Sequence, residues 1–412
     1  MKKFFAIALV LVMIFALAAC GGNSTNNDTE SNNETESANN GNEETTLKFG
    51  FIYLHDQNST YDRNFMEGAK AACEAVGAEY LEKVGIDETS DCYTAAADLV
   101  GQGCSIVFAD SFGHEDFMIE AAEEFPDVQF CHATGTKAHT AGLANFHNAF
   151  ASIYEGRFLA GIAAGMKLNE MIDAGKFKAD EAKIGYVGAY TYAEVISGYT
   201  SFFLGARSVC PTATMEVQFT GSWYDETAEK NAAETLIQRG CKLISQHADS
   251  MGAPTACEDA GIPNISYNGS TVDACPNTFI VSSRINWQPY FEYIINCVKE
   301  GKEIDTDWSG TIATGSVVLT DINEQAAAAG TAEAIEEAKA KIQDGTLKVF
   351  ATDTFKVDGK ELTTYLADVD TDEAYTGDTE VIKDGAFLES VYRSAPYFDL
   401  MIDGIETLNA MY

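Results

Sequence analysis

Positive charge is scarce in this chain. Its 412 residues carry 26 Lys and Arg against 63 Asp and Glu, a formal net charge of −37 with a pI near 4.3. Nucleic acid is thereby excluded as a partner, because its phosphates would be repelled. An acidic polymer is excluded as a substrate on the same ground. The acid excess itself reads as solubility and low stickiness. Metal motifs are also missing. There is no Cys-x-x-Cys, and the six histidines do not join the cysteines at ligand spacing, so no metal site is expected. Catalytic signatures are absent too: no Gly-x-Ser-x-Gly elbow, no His-Glu-x-x-His and no P-loop. No compact Asp run of the kind that gathers a cation stands at a strand end. No catalytic residue and no cofactor are therefore assigned, and the chain reads as a binder rather than an enzyme.

Long apolar runs are also few. Phe4–Ala19 is uncharged, but its 16 residues fall short of the roughly 20 that cross a membrane. Lys2 and Lys3 precede it, and Leu17-Ala18-Ala19-Cys20 follows with Gly21 and Gly22. A positive start, an apolar stretch and small residues before a cut describe a secretory signal peptide, residues 1–19. Leu-Ala-Ala-Cys resembles the lipobox of bacterial lipoproteins. The resemblance implies lipid attachment at Cys20 and residence on the extracellular face of a cell membrane of the Gram-positive type. Residues 20–46 are Asn, Ser, Thr, Glu and Gly with almost nothing apolar. Such a segment cannot bury enough surface to order itself. It is expected to be a disordered tether with a reach of about 25–30 Å.

The remaining chain is long enough for two lobes. Its content is 46% hydrophobic and 11% aromatic, so it should fold. Nine cysteines remain after Cys20, scattered through apolar patterns. They are expected to be reduced, buried thiols. Short apolar strands alternate with helices from Leu47 onward: Leu47–Leu54, then helix Tyr61–Val76, then strand Ser105–Ala109. At Lys183 the pattern starts again, with strands Ile184–Gly188, Thr214–Thr220, Lys242–Gln246 and Asn264–Tyr267. Alternation of this kind builds parallel βαβ units. The expected fold class is α/β, with two Rossmann-like parallel-sheet lobes and a hinge. Lobe 1 takes 47–180 plus about 279–310, and lobe 2 takes 181–278 plus about 311–357. Residues 358–412 are read as a C-terminal extension wrapping the surface, and Glu324–Ile342 as a helix.

Several segments then point to one family. Tyr154-Glu-Gly-Arg-Phe-Leu-Ala-Gly161 resembles the signature of the basic membrane protein family, lipoproteins that feed ABC importers. Ile184-Gly-Tyr-Val-Gly188 with Gly198–Gly205 resembles the start of that family's second lobe, and Gly221-Ser-Trp-Tyr-Asp225 a later segment. Gln246–Asp249 and Ala253–Glu258 are similar to the branch that binds free purine bases. Resemblance runs from about Lys48 to Val357. It implies the type 1 periplasmic-binding-protein fold and a purine base or nucleoside as ligand. It also implies an ABC permease with its ATPase as partners, and action as a monomer.

Ligands of open parallel sheets sit at the carboxyl ends of strands. Candidates there are Tyr61, Asp62, Asp110, Ser111 and Phe112 in the first lobe. In the second they are Tyr190, Trp223, His247, Asp249 and Asn268, with Trp287 near the crossover. A purine needs aromatic faces and a polar edge. By the resemblance, Tyr61 and Trp223 match stacking positions, and Asp110 lies near a base-recognition position. Asn268 stands where nucleoside binders carry an Asp for ribose hydroxyls. A ribose-binding Lys is unmatched around Arg284–Trp287, which favours the free base. Arg157 is read as structural. The alternatives are a ligand-sensing lipoprotein without transport and an extracellular nucleosidase-type hydrolase. Neighbouring transporter genes would separate import from sensing.

Overall fold

The computed structural model describes residues 46–369 and 376–412. The expected signal peptide, Cys20 and the linker up to Thr45 lie outside them.

Two sheets carry the fold. The first is built from strands β1 Lys48–Tyr53, β2 Glu79–Val84, β3 Ile106–Ala109, β4 Gln129–Ala133 and β5 Phe146–Ala151. The second uses β6 Lys183–Gly188, β7 Thr214–Phe219, β8 Leu243–His247, β9 Asn264–Tyr267 and β10 Phe279–Ile285. Two short strands return late, β11 Asp307–Gly310 to the first sheet and β12 Val317–Leu319 to the second. The orders are β11-β5-β4-β3-β1-β2 and β12-β10-β9-β8-β6-β7, the latter extended beyond β7 by strand Ile405–Thr407. Only β12 runs antiparallel within them. β3 and β9 are buried at every residue. That is expected of parallel strands covered by helices on both faces.

Strand β10 departs from the expected lobe assignment. It pairs with β9 and β12, so 279–285 belongs to the second sheet. The chain crosses only at Asn286–Trp287. There Pro289, in the first turn of helix Gln288–Glu300, starts a segment that packs on helix Thr60–Val76. The late helix is also shorter than expected, Thr331–Gln343, because Gly330 turns the chain at φ 79° just before it. All nine cysteines among the described residues are free and buried, as the apolar patterns imply.

Helices Ile153–Asp173 and Ala193–Val209 are joined backbone to backbone. A Cβ on Gly161 would stand 2.0 Å from the Phe202 carbonyl oxygen, and one on Gly205 would stand 2.0 Å from that of Phe158. The Leu-Ala-Gly segment of the signature thus supplies a groove for the second lobe's first helix.

The C-terminal part does more than wrap the surface. Phe387, Phe398 and Ile402 are buried in the main core, and strand Ile405–Thr407 pairs with β7. Glu389 is buried with them and accepts from Ser197 Oγ at 2.5 Å. Burial raises its pKa to about 7 from an ordinary 4.5. The folded state therefore holds this proton where the unfolded chain releases it. Its contribution to stability is fully present below pH 4.5 and is lost as pH rises through 7. Glu389→Gln should remove that loss, raising stability at pH 8 by on the order of 2 kcal/mol while changing little at pH 5. Denaturant melts at the two pH values test this. An equal effect at both would assign Glu389 a packing role only.

Candidate functional site

The carboxyl ends of the strands in both sheets face one another across a narrow slot. About 20 Å³ of free space lies between its walls. From the first lobe it is lined by Leu54, His55, Tyr61, Asp62, Ser111, Phe112 and Thr134. Glu194, Trp223, His247, Asp249 and Tyr267 line it from the second. The walls touch. Thr60 N–H donates to the Asp249 carbonyl at 3.0 Å, and Asn64 Nδ2 donates to the Ile285 carbonyl at 2.6 Å. Phe112 lies 5.7 Å from Tyr192 between ring centroids, and His55 lies 5.5 Å from Tyr224.

Asp62 organises the loop after β1. It accepts from the His55 N–H at 2.7 Å and from Ser59 Oγ at 2.5 Å, and His55 Nδ1 lies 3.4 Å away. Burial opposes its ionisation, but these donors outweigh burial and hold its pKa below the usual range. Ser59 also caps the helix that begins at Thr60, and so Tyr61 is presented in the first turn. The Tyr61 hydroxyl donates to the Asp110 carbonyl at 2.7 Å, which fixes its ring.

The second lobe supplies an aromatic rim. The Trp223 ring lies 5.1 Å from Tyr190, edge to face, and 6.2 Å from Tyr192. The Trp223 carbonyl accepts from the Asp249 N–H at 3.0 Å, so the two residues are held together. Deeper in, His247 Nε2 lies 3.3 Å from Glu194 Oε1. Burial and the nearby Arg157 charge push the His247 pKa down to about 4. At neutral pH this is therefore a hydrogen bond from a neutral imidazole, not an ion pair. Asp249, 5% exposed, is pushed well above the carboxylate range by burial and by Glu229. In its protonated form that carboxyl offers one donor and one acceptor. Burial and the Asp62 charge raise Asp110 in the same way.

Arg157 underpins this wall. Its Nη1 donates to the Gln246 carbonyl at 2.9 Å, and its guanidinium lies 3.4 Å over the Tyr267 ring. Among the described residues, no group of three or more His, Cys, Asp or Glu is placed to hold a metal ion.

Seven sequence candidates meet in the slot: Tyr61, Asp62, Ser111, Phe112, Trp223, His247 and Asp249. Four do not line it. Asp110 stands behind Tyr61, and Tyr190 backs Trp223. Asn268 lines a separate recess. Trp287 is 1% exposed and stacks on Phe65 at 4.3 Å, so it belongs to the first lobe's core. His55, Thr134, Glu194 and Tyr267 were not singled out by sequence. Glu194, in the first turn of a helix after a strand, and Tyr267, at the end of one, carried a positional signal. Thr134 carried none, since its positive φ of 65° is visible only in the fold.

Known proteins resemble this chain at several levels. A family model described as ABC transporter substrate-binding protein, PnrA-like, matches residues 54–353. A purine-binding protein of Brucella abortus is 32% identical over 324 residues, 77% of this chain and 87% of that protein. A putative ABC transporter glucose-binding protein of Haloferax volcanii is 30% identical over 275 residues, 66% of this chain and 63% of that protein. The crystal structure of an Aeropyrum pernix ABC transporter solute-binding protein superposes with a TM-score of 0.63 at 18% identity. That superposition covers 74% of this chain and 93% of the other.

Proposed function

The chain belongs to the family of PnrA-like ABC transporter substrate-binding proteins, and from that premise we propose that it captures a free purine base in the interlobe slot. One observation carries the reading. Tyr61 and Trp223 come from opposite lobes to line the slot, with Asp249 and His247 at its buried edge. Aromatic side chains offer faces to a flat ring. A carboxyl that both donates and accepts suits a purine edge, which alternates ring nitrogens and N–H groups. The purine-binding relative from Brucella abortus supports the same ligand class. Asn268 lies outside the slot, so the place for a ribose is less furnished than the place for a base.

On this reading the protein is no enzyme. It is tethered to the outer face of the membrane through Cys20, closes on its ligand and delivers it to a permease driven by an ATPase. Only the difference in ligand affinity between open and closed forms moves that equilibrium. Calorimetric titration of ligand-stripped protein tests the proposal, with adenine, guanine, hypoxanthine, xanthine, their nucleosides and glucose. One-to-one binding of a base, with its nucleoside weaker, is expected. Tighter nucleoside binding would overturn the preference for the free base. Binding of glucose alone, the ligand named for the Haloferax relative, would replace the purine reading.

A further inference from the structure

A second recess of about 560 Å³ opens between the lobes, separate from the slot. The Thr60–Asp249 hydrogen bond stands between them, Thr60 lining the recess and Asp249 the slot. Its first-lobe wall is one face of helix Thr60–Val76: Thr60, Arg63, Asn64 and Glu67. Asn268, Gly269, Arg284 and residues 318–323 form the second-lobe wall.

Its hydrogen-bonding groups do not balance. Asn268 is 2% exposed and its Nδ2 has no acceptor. The Asn268 N–H is committed to the Ser283 carbonyl at 2.9 Å, and its φ of 62° holds the side chain in an uncommon backbone setting. Arg284 spends one end of its guanidinium on Glu67 at 3.2 Å, while its buried Nε has no acceptor. Arg63, whose Nη2 lies against Gly269, has no carboxylate within ion-pair distance among the described residues. Buried Asn64 Oδ1 also lacks a donor, its amide nitrogen being fixed on the Ile285 carbonyl. A buried polar group without a partner costs about 1–3 kcal/mol. These groups belong to residues that line one recess.

We infer that the recess binds a phosphate-type oxyanion, which bridges Arg63 on the first lobe to Arg284 and Asn268 on the second. Hydrogen phosphate matches the groups left over. Its oxygens accept from the guanidinium and amide donors, and its hydroxyl donates to Asn64 Oδ1. The acids in the wall are Glu67, already paired with Arg284, and Asp321. The two arginines thus offset the local acid in a chain whose charge otherwise repels anions. Because its ligands come from both lobes, the anion favours the closed form and is coupled to whatever the slot binds.

The test uses thermal melts of the purified protein in about 10 mM sodium phosphate against sodium chloride of equal ionic strength. A higher melting temperature in phosphate is expected, and Arg63→Gln should abolish the difference. No purine enters that measurement, so its outcome is independent of the slot's ligand. A second titration measures slot-ligand affinity with and without phosphate. A gain of at least threefold in wild type, absent in Arg63→Gln, is expected. Equal melts in the two salts would mean that water alone fills the recess and would overturn the proposal. A phosphate shift surviving in Arg63→Gln would overturn it as well.

Discussion

Replacing Trp223 with alanine is expected to weaken ligand binding at least tenfold, about 1.4 kcal/mol. Three observations set that size. The indole lines the slot, it is held edge to face by Tyr190, and its carbonyl anchors the Asp249 N–H. The first two place an aromatic face where a planar ligand must lie, and large aromatic anchors dominate binding energies. The backbone link survives in alanine, so Asp249 stays in place and the loss reports the ring alone. Trp223→Phe should recover part of the affinity, because a smaller face still stacks. Calorimetry on both variants, with a melt to show that each is folded, decides the point. An unchanged affinity in the alanine variant would remove Trp223 from the site.

Gly161→Val is expected to cost at least 3 kcal/mol of stability, in the range of severe core changes. A Cβ there would overlap the Phe202 carbonyl oxygen, and no side-chain rotation relieves a clash with backbone. The helices must move apart, opening the contact between Phe158, Phe202 and their neighbours across that face. Gly77→Ala gives the comparison. Gly77 has nothing within 4 Å of a Cβ, but its φ of 67° is left-handed, so alanine there costs about 1 kcal/mol through backbone alone. Urea unfolding of the three proteins would separate the two mechanisms. A Gly161→Val loss no larger than that of Gly77→Ala would mean that the helix pair adjusts freely.

Strand positions were legible because buried parallel strands are short apolar runs bounded by polar loops, as at Ile106–Ala109 and Asn264–Tyr267. The slot was legible for a related reason: residues just after such strands must face the cleft. That rule located Ser111, Phe112, Trp223, His247 and Asp249. It failed where tertiary packing decides. Trp287 follows a strand end, yet it stacks on Phe65 because the chain turns there into a helix against the first lobe. The lobe of Phe279–Ile285 was misread because an apolar strand pairs with whichever sheet edge is open, and order along the chain does not say which. Perturbed titrations, such as the raised pKa of Asp249, need burial and neighbours that a string of residues does not display.

The pairing of Ile405–Thr407 with β7 bears on how the molecule is made. Beyond that strand, Asn409 holds Phe219 through both backbone groups across 190 residues of chain. Met411 bonds Thr191 in both directions, next to the loop bearing Tyr190 and Tyr192. The ribosome thus makes β7 and the aromatic rim long before the segment that secures them. Until that segment emerges, β7 is an open edge able to pair with another chain. Closing so distant a contact is intrinsically slow. A nascent chain stalled before residue 405 would therefore hold an unfinished rim, and ligand capture would belong to molecules whose synthesis has passed that point.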